Sequence, residues 1–378
     1  MRKLITIFFS RIVFRKIKKK KFLIIDKNQS FIFQQYLPSN DVNILEIRYE
    51  SLNLFILLKI FLKFKFSFKE YMLEYIKCSG SEYIITYMDN HIFNYKIKKY
   101  FPEKKIIIIQ NGSRLEFFFQ SLSTHNDLKA DYLFTLSEEY KERFQKHIQG
   151  KIIVLGSFKN NLVKKTNNTK LNTLSYISDF TLPIKGKLME KSMIKIYDRI
   201  TVESDLYYKP ERLLLPKLVN FCKSKNLKLQ ILARSKNSEN LKNETNFYES
   251  IINKKDFKII DNSKDYSLSY KYLDESKLNV NIQSVLGLES IARGNRTAIF
   301  NVRNEFTKIE SLNSFWSSDF KLDKGSFWTD ELLEKEVNRI LEFLLNAKES
   351  IWQNDLKKLV PKFISFNQDN QKFKDALK

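Results

Sequence analysis

The sequence LNVNIQSVLGLESIARGNRTAIF, residues 278–300, predicts a strand, a helix and a second strand in succession. The helix begins at Ser284, a residue type that caps helices, and ends at Gly294. Backbone N–H groups in the first turn of such a helix can bind a phosphate. Open α/β sheets bind their ligands beyond the carboxyl ends of the strands. This stretch therefore predicts a parallel α/β sheet with a phosphate site at its edge.

The length and composition favour a folded protein with more than one domain. A chain of 378 residues with 43% hydrophobic and 14% aromatic residues can form two substantial cores. Its 66 basic and 43 acidic residues give a net charge of +23, and residues 1–27 contain ten Lys or Arg against Asp26 alone. Such a field attracts nucleic acid or an anionic membrane. A coding sequence rich in A and T would produce the same excess, so both explanations stay open.

Cysteine usage and hydropathy exclude several classes of protein. Cys78 and Cys222 are the only cysteines and lack the spacing of a metal site, which favours a reducing compartment. Residues 4–9 are too short for a secretory signal. Residues 52–62 form the most apolar stretch, far below the roughly 20 residues of a membrane span. We therefore predict no transmembrane helix.

Strand and helix patterns alternate along two successive halves of the chain. Apolar runs predict strands over residues 21–26, 42–47, 82–87, 105–109, 131–135, 151–155, 173–177, 227–233, 257–260, 278–282 and 297–300. Helical spacing is found in most intervening segments, including residues 52–77 and the region around 188–202. A polar linker over residues 162–170 separates the halves. The alternation predicts an α/β protein with two Rossmann-like domains that face a central cleft.

Several catalytic signatures are missing from the sequence. It has no Walker A motif, no G-x-G-x-x-G, no H-E-x-x-H and no Cys-His pattern. It also lacks the Asp-x-Asp motif that holds a metal and a diphosphate. We therefore expect chemistry that needs neither a metal nor a cofactor.

The Ser284 helix and a distant arginine form a candidate donor site. Ser284 and Gly287 lie in the first turn, and Glu289 is near enough to reach a sugar hydroxyl. Their spacing resembles the donor site of GT-B glycosyltransferases. Arg234 ends a strand in the same half and could neutralise a diphosphate leaving group. An ordinary capped helix and a surface arginine would show the same pattern.

Other candidates follow strands of the first half. Asp89, Asn90 and His91 end the third strand, where Asp89 or His91 could take a proton from an acceptor hydroxyl. Asp89 or Asn90 could instead cap the next helix, and the two roles are compatible. The candidate cleft residues that remain, in later strand-end loops, are Asn111, Gly112, Arg114, Ser157 and Asn160. Asn111-Gly112 suits a turn with positive φ.

Five motifs together resemble a known family. They are DN at residues 89–90, IQNG-x-R at 109–114, GKIIVLGSFKNN at 150–161, S-x-LGLE-x-x-ARG at 284–294 and GSFW at 325–328. This order is similar to that of bacterial surface-carbohydrate (O-antigen) biosynthesis proteins, which are treated as GT-B-like glycosyltransferases. The resemblance implies a transferase of surface-glycan assembly and leaves the donor and the acceptor open.

The resemblance gives the two halves different roles. We expect residues 1–168 to bind the acceptor, a lipid-linked or growing glycan. Residues 171–345 would bind a nucleotide-sugar, and helices in residues 346–378 would pack back on the first domain. The basic N-terminus and residues 52–65 would place this cytoplasmic protein on the anionic inner face of the membrane.

The resulting prediction is metal-independent transfer of a sugar to an O-antigen or capsule acceptor. Three alternatives stay open: transfer of a nucleotide-activated polyol phosphate by the same fold, nucleic-acid binding, and an inactive scaffold of a glycan assembly complex. The absence of any known nucleic-acid module in the sequence counts against nucleic-acid binding.

Overall fold

The computed structural model describes residues 11–48, 50–166, 170–184, 192–196, 200–235, 237–263, 265–309, 312 and 324–378. The chain divides into two compact units. The first comprises Met1–Gly112, Phe117–Leu162 and Asn367–Lys378, and the second comprises Ser113–Glu116 and Val163–Phe366.

The first unit is built on a parallel sheet. Its strands are β1 (Arg11–Val13), β2 (Phe22–Ile25), β3 (Val42–Leu45), β4 (Ser51–Asn53), β5 (Tyr83–Thr86), β6 (Lys105–Ile109), β7 (Lys129–Thr135) and β8 (Gln149–Val154). Six of them pair in the order β3-β2-β5-β6-β7-β8, all parallel, while β1 and β4 form a separate parallel pair. The four isoleucines of β6 are all buried, as expected of a parallel strand covered on both faces.

Helices connect these strands and cover the sheet. They are α1 (Leu54–Leu62), α2 (Phe68–Ser79), α3 (Ile92–Tyr100), α4 (Glu116–Ser123), α5 (Glu138–Gln145) and α6 (Phe158–Leu162). Ser67 caps α2 by accepting a hydrogen bond from the backbone N–H of Glu70 at 3.2 Å. Gly80 ends the same helix in the left-handed conformation, with φ 62°. Local capping chemistry therefore sets both ends of α2.

The C-terminal residues complete the core of the first unit. Helix α15 (Gln371–Ala376) buries Phe373, whose ring centroid lies 5.0 Å from that of Phe158. Asn161 is fully buried and donates to Oδ1 of Asn370 at 2.8 Å. These contacts hold residues 367–378 against the first unit.

The second unit contains another parallel sheet. Its strands are β9 (Leu171–Ile177), β10 (Met193–Ile196), β11 (Ile200–Glu203), β12 (Lys228–Leu232), β13 (Phe257–Ile260), β14 (Ser276–Asn281), β15 (Thr297–Phe300) and β16 (Trp328–Thr329). The main sheet has six parallel strands in the order β13-β12-β9-β14-β15-β16. The prediction of two parallel α/β sheets is confirmed.

The helices of the second unit surround a large hydrophobic core. They are α7 (Ser204–Tyr207), α8 (Lys209–Ser224), α9 (Ser238–Glu249), α10 (Ser267–Glu275), α11 (Val285–Ala292), α12 (Arg303–Thr307), α13 (Glu334–Asn346) and α14 (Glu349–Phe363). Trp352 of α14 is buried in this core and donates from its indole to the carbonyl oxygen of Gly294 at 3.0 Å. Of residues 346–378, which the sequence analysis treated together, residues 346–366 thus belong to the second unit.

Two predicted helices differ in the structure. The region around residues 188–202 contains the antiparallel pair β10 and β11 instead of a helix. Exposed and buried residues alternate along Met193–Ile196, which is the period of a strand. The predicted helix over residues 52–77 is divided into β4, α1 and α2, with Phe64 at φ 56° between the helices.

Within the described ranges, no helix has both the length and the apolar content needed to cross a membrane.

A buried ion pair joins α10 to the residue after α11. Arg293 Nε donates to Oδ1 of Asp274 at 2.8 Å, and both side chains are fully buried. Burial opposes ionisation of Asp274, but hydrogen bonds from Arg293 and Asn295 outweigh it and lower the carboxyl pKa. Arg293 also donates to the carbonyl oxygen of Val163 at 2.9 Å. The pair therefore ties the start of the second unit to the α11 region.

We expect Arg293→Met to lower the free energy of unfolding by about 3–5 kcal/mol, because it leaves the Asp274 carboxylate buried and unpaired. The matched control is Arg339→Met, which removes an exposed pair with Glu336 and should cost about 1 kcal/mol or less. Urea unfolding followed by circular dichroism measures both. Equal losses in the two variants would contradict a structural role for the pair.

Candidate functional site

Each sheet reverses its strand order at one position, and polar side chains gather there. In the second unit β9 lies between β12 and β14, so the order reverses between β9 and β14. In the first unit it reverses between β2 and β5. Open α/β sheets bind ligands at these positions, outside the carboxyl ends of the strands.

Arg234 is anchored at this edge of the second sheet. It follows β12, and Asp179 follows the neighbouring strand β9. Its Nη1 donates to Oδ1 of Asp179 and to Oγ1 of Thr181, each at 2.8 Å. About half of the Arg234 side chain, 52%, remains exposed. The guanidinium is thus oriented by the protein while part of it faces solvent.

A buried ion network supports Asp179. Nη2 of Arg303, which is fully buried, lies 2.7 Å from Oε1 of Glu211 and 3.6 Å from Oδ2 of Asp179. The guanidinium also lies 3.8 Å from the ring centroid of Tyr207, whose hydroxyl donates to Asp179 at 3.1 Å. Burial raises the pKa of the Glu211 carboxyl. Burial opposes the charge on Arg303, but attraction to Glu211 raises its pKa overall.

Glu244 fixes the backbone on which Arg234 stands. This fully buried carboxylate on α9 accepts from the backbone N–H of Arg234 at 3.0 Å and of Ser235 at 2.9 Å. It also accepts from the hydroxyl of Ser178. One side chain therefore holds the loops that follow both β9 and β12.

Sequence reasoning missed four residues of this network: Asp179, Glu211, Glu244 and Arg303. Asp179 lies two residues after one predicted strand and Arg303 lies three residues after another, so their positions near strand ends were a usable signal. Glu211 and Glu244 lie on helices and are brought to the site only by the fold.

The predicted phosphate helix begins where the sequence indicated. Ser284 is the N-cap of α11, although its side chain makes no capping hydrogen bond. Its backbone N–H donates to Oδ1 of Asn281 at 2.9 Å. A Cβ added to Gly287 would lie 2.4 Å from the Asn281 side chain. Gly287 is therefore required for the first turn of α11 to pack over the end of β14.

Glu289 is more enclosed than its predicted role implies. Its side chain is buried and accepts from the hydroxyl of Tyr270 at 2.9 Å. Contact of Glu289 with a sugar hydroxyl stays a prediction.

Arg234 and Ser284 follow two strands, β12 and β14, that are separated in the sheet by β9 alone. The two strand ends therefore lie roughly 10 Å apart at the usual strand spacing.

In the first unit, Asp89 and Asn111 lock two strand-end loops together. Asp89 is fully buried and accepts from the backbone N–H of Asn111 at 3.0 Å. The side-chain amide of Asn111 donates to the carbonyl oxygen of Tyr87 at 2.7 Å. These bonds join the loops after β5 and β6.

A cavity of about 590 Å³ opens beside these loops. Its polar lining residues are Arg48, Lys69, Asn90, His91, Asn94 and Asn111. Arg48 is held by Asp26, which follows β2, with Nη2 and Oδ2 2.6 Å apart. His91 keeps an accessible surface, yet desolvation by the surrounding protein lowers its pKa. A neutral imidazole of this kind can accept a proton.

Two local predictions in this unit were wrong. His91, and neither Asp89 nor Asn90, is the N-cap of α3. Asn111 and Gly112 are not among the described residues with positive φ. The turn is held instead by Gln110, whose Nε2 donates to the carbonyl oxygen of Gly112 at 2.9 Å.

The remaining predicted residues lie apart from this cavity. Arg114 is half-buried, groups with the second unit and donates to the carbonyl oxygen of Ser113 at 2.9 Å. Ser157 and Asn160 are buried in the first unit at the start of α6. Their proposed contact with an acceptor stays a prediction.

Metal ligands do not cluster in the part of the chain that the structure describes. No group of three or more His, Cys, Asp or Glu side chains there is arranged to hold a metal ion.

The sequence matches a protein family over most of its length. Residues 107–378 match the family described as "putative O-antigen biosynthesis protein". The chain belongs to this family. No curated protein sequence matches it.

Solved structures show the fold that this family member adopts. The wall teichoic acid polymerase TagF, as its H444N variant soaked with CDPG, matches with TM-score 0.53 and 12% identity over 96% of this chain and 89% of that chain. The H548A variant of TagF gives TM-score 0.51 and 11% identity with the same coverage. UDP-GlcNAc 2-epimerase from Methanocaldococcus jannaschii matches with TM-score 0.51 and 11% identity over 96% of this chain and 99% of that chain. The chain therefore has a GT-B fold. Because this fold occurs in a polymerase and an epimerase, the site must decide the activity.

We expect NMR to show that His91 titrates below the ordinary histidine value of about 6.5, because desolvation disfavours the imidazolium. The folded protein then binds fewer protons than the unfolded chain, so stability falls as the pH drops below about 6.5. The His91→Gln variant assigns the resonance and should lack this part of the pH dependence. A His91 pKa at or above the ordinary value would contradict the geometry.

Proposed function

We propose that this protein is a metal-independent glycosyltransferase of surface-polysaccharide (O-antigen or capsule) assembly. It moves a sugar from a nucleotide-sugar to a lipid-linked or growing glycan. One observation carries the proposal: Arg234 is anchored and half-exposed at the end of β12, the strand beside the order reversal of the second sheet. The chain has a GT-B fold and belongs to an O-antigen family.

The second unit suits a nucleotide diphosphate. An arginine presents a planar set of donors that matches phosphate oxygens, and Asp179 orients this one. The N-terminus of α11 at Ser284 adds backbone donors and the positive end of a helix dipole. Glu289 would hold a hydroxyl of the sugar or ribose after a change in its contact with Tyr270.

The reaction needs a charge that stabilises the leaving group. The acceptor hydroxyl oxygen attacks the anomeric carbon, the bond from that carbon to the diphosphate oxygen breaks, and the nucleoside diphosphate leaves with the electron pair. Negative charge grows on the diphosphate in the transition state, where Arg234 lowers its energy. This contribution replaces the one that a metal ion supplies in other transferases.

The first unit supplies the acceptor side of the proposal. The cavity beside His91 carries amide, lysine and arginine side chains that suit glycan hydroxyls or a phosphate. Of the two candidate bases, His91 is favoured over Asp89, because Asp89 is fully buried and binds the Asn111 backbone. His91 would take the proton from the acceptor hydroxyl.

A second candidate substrate is a nucleotide-activated polyol phosphate. It is favoured by the structural similarity to TagF, which was soaked with CDPG. Such a transfer breaks a phosphoanhydride bond rather than a glycosidic bond, and the same Arg234 site would hold the nucleotide.

We place the enzyme on the cytoplasmic face of the cytoplasmic membrane, attached peripherally. The support is the net charge of +23 and the nature of the proposed acceptor.

We expect a panel of nucleotide-sugars and CDP-glycerol to contain one ligand that raises the melting temperature of the protein. Arg234→Ala should weaken binding of that ligand about tenfold or more, since a charge-assisted hydrogen bond is lost. The control Arg212→Ala removes another partly exposed arginine–aspartate pair of the second unit and should bind normally. A protein that no nucleotide stabilises and that binds DNA in a salt-sensitive way would overturn the proposal.

We expect the transfer rate to be unchanged by EDTA. His91→Gln should lower kcat by about 10²–10⁴-fold, the usual contribution of a general base, with little change in donor KM. His125→Gln, a change outside the cavity in the same unit, is the control. Loss of activity in EDTA would contradict metal independence, and full activity of His91→Gln would remove His91 as the base.

A further inference from the structure

We propose that the end of α1 and the turn after it form a docking surface for an anionic lipid bilayer. Five large apolar side chains are exposed there: Leu58, Phe61, Leu62, Phe64 and Phe66. We call them the apolar tip. Leu62 is 77% and Phe64 is 83% exposed. Single exposed apolar residues are ordinary, whereas a contiguous group marks an interaction surface.

The rest of α1 fixes the position of the apolar tip. Ile56 and Ile60 on its other face are buried in the core of the first unit. The side chain of Asn53 caps the helix by accepting from the backbone N–H of Phe55 at 3.0 Å. The members of the apolar tip that belong to α1 therefore lie on the outward face of a helix that is anchored at its start and along its inner side.

The turn after α1 is also well defined. The backbone N–H of Lys65 donates to the carbonyl oxygen of Ile60 at 3.0 Å, and Phe64 adopts the left-handed conformation with φ 56°. Glycine is the usual residue at this position of a helix end. Here a phenylalanine occupies it, and its ring is among the most exposed in the described chain. The ring centroids of Phe61 and Phe66 lie 5.6 Å apart, edge to face.

Basic side chains surround the apolar tip. Lys59, Lys63 and Lys65 alternate with its members along the sequence. Each of these lysines has a glutamate partner: Lys59 and Lys63 lie 3.7 and 2.6 Å from Glu74, and Lys65 lies 3.3 Å from Glu70, so part of this charge is neutralised. Residues 54–79 nevertheless contain five lysines against two glutamates, and residues 11–21 contain seven basic residues and no acidic ones.

The two basic segments lie side by side. Lys16, Lys18 and Lys19 line a cavity of about 640 Å³ together with Phe55 and Lys59 of α1. Anionic headgroups are attracted to clusters of lysine and arginine of this kind. The positive surface thus extends from the apolar tip to the N-terminal segment.

A bilayer matches this combination better than a nucleic acid does. Leucine and phenylalanine side chains can enter the boundary between headgroups and acyl chains while lysines remain at the level of the phosphates. A nucleic acid would use the lysines but leave Leu58 and Leu62 in water. The inference deepens the proposed function, on which it rests only for the lipid-linked nature of the acceptor.

The test is sedimentation of the full-length protein with vesicles, in the absence of any nucleotide. One set of vesicles contains phosphatidylcholine alone, and the other also contains phosphatidylglycerol. Phe61→Ser/Phe64→Ser removes two members of the apolar tip. Leu333→Ser/Ile351→Ser, the matched control, removes two exposed apolar residues of the second unit, which are 67% and 48% exposed.

We expect the wild type and the control to bind the vesicles that contain phosphatidylglycerol more strongly than those of phosphatidylcholine alone. Partitioning of the Phe61→Ser/Phe64→Ser variant onto the phosphatidylglycerol vesicles should fall about tenfold or more, because part of the apolar area that enters the bilayer is lost. In Phe64→Trp, the added fluorescence should shift to shorter wavelength with these vesicles, and in Leu333→Trp it should not shift.

Three outcomes would overturn the inference: no vesicle binding by the wild type, equal binding by the tip variant, or a blue shift in Leu333→Trp alone. A change from dimer to monomer in the tip variant with vesicle binding intact would assign the surface to a second copy of the chain. Nucleotide stabilisation of the tip variant is measured in parallel. Because the second unit is unaltered, that measurement separates failure of the docking surface from failure of the proposed transfer reaction.

Discussion

The buried guanidinium of Arg303 is the interaction on which the candidate donor site depends. It binds Glu211 of α8, contacts Asp179 after β9 and packs on the ring of Tyr207. A charged group in this position is tolerated only because its partners are fixed around it. Asp179 is thereby held in place and can orient Arg234, which is the only member of this chain of contacts with about half of its side chain exposed.

In both units, buried carboxylates at strand ends hold a neighbouring group in place, although the side chains differ. In the first unit, Asp26 holds Arg48 and Asp89 holds the loop of Asn111, again at the ends of strands where the order reverses. Buried carboxylates at this edge serve mainly to position neighbours. The groups left for chemistry are those that they orient, namely Arg234 in one unit and the cavity beside His91 in the other.

Much of the fold could be predicted from the sequence, because parallel strands buried on both faces leave continuous apolar runs such as residues 106–109. The start of α11 was also readable from Ser284 and the preceding strand. The antiparallel pair of β10 and β11 was missed, because the region around residues 188–202 was predicted as a helix. Phe64 in the left-handed conformation divided a predicted helix, and sequence periodicity contains no signal for that.

The site was less predictable than the fold for a physical reason. Glu211 is 92 residues from Arg303, and Ser178 is 66 residues from Glu244, so these contacts exist only after the sheet has formed. Asp89 was assigned to chemistry because a carboxylate at a strand end suits a base. The fold instead buries it against a backbone N–H group.

Hydrogen–deuterium exchange with and without bound UDP or CDP tests the central claim most directly, because it locates the diphosphate without assuming an activity. We predict slower exchange in peptides that cover residues 178–181, 233–235 and 282–287, the loops after β9, β12 and β14. Nucleotide binding with protection confined to residues 88–91 and 110–112 of the first unit would contradict it.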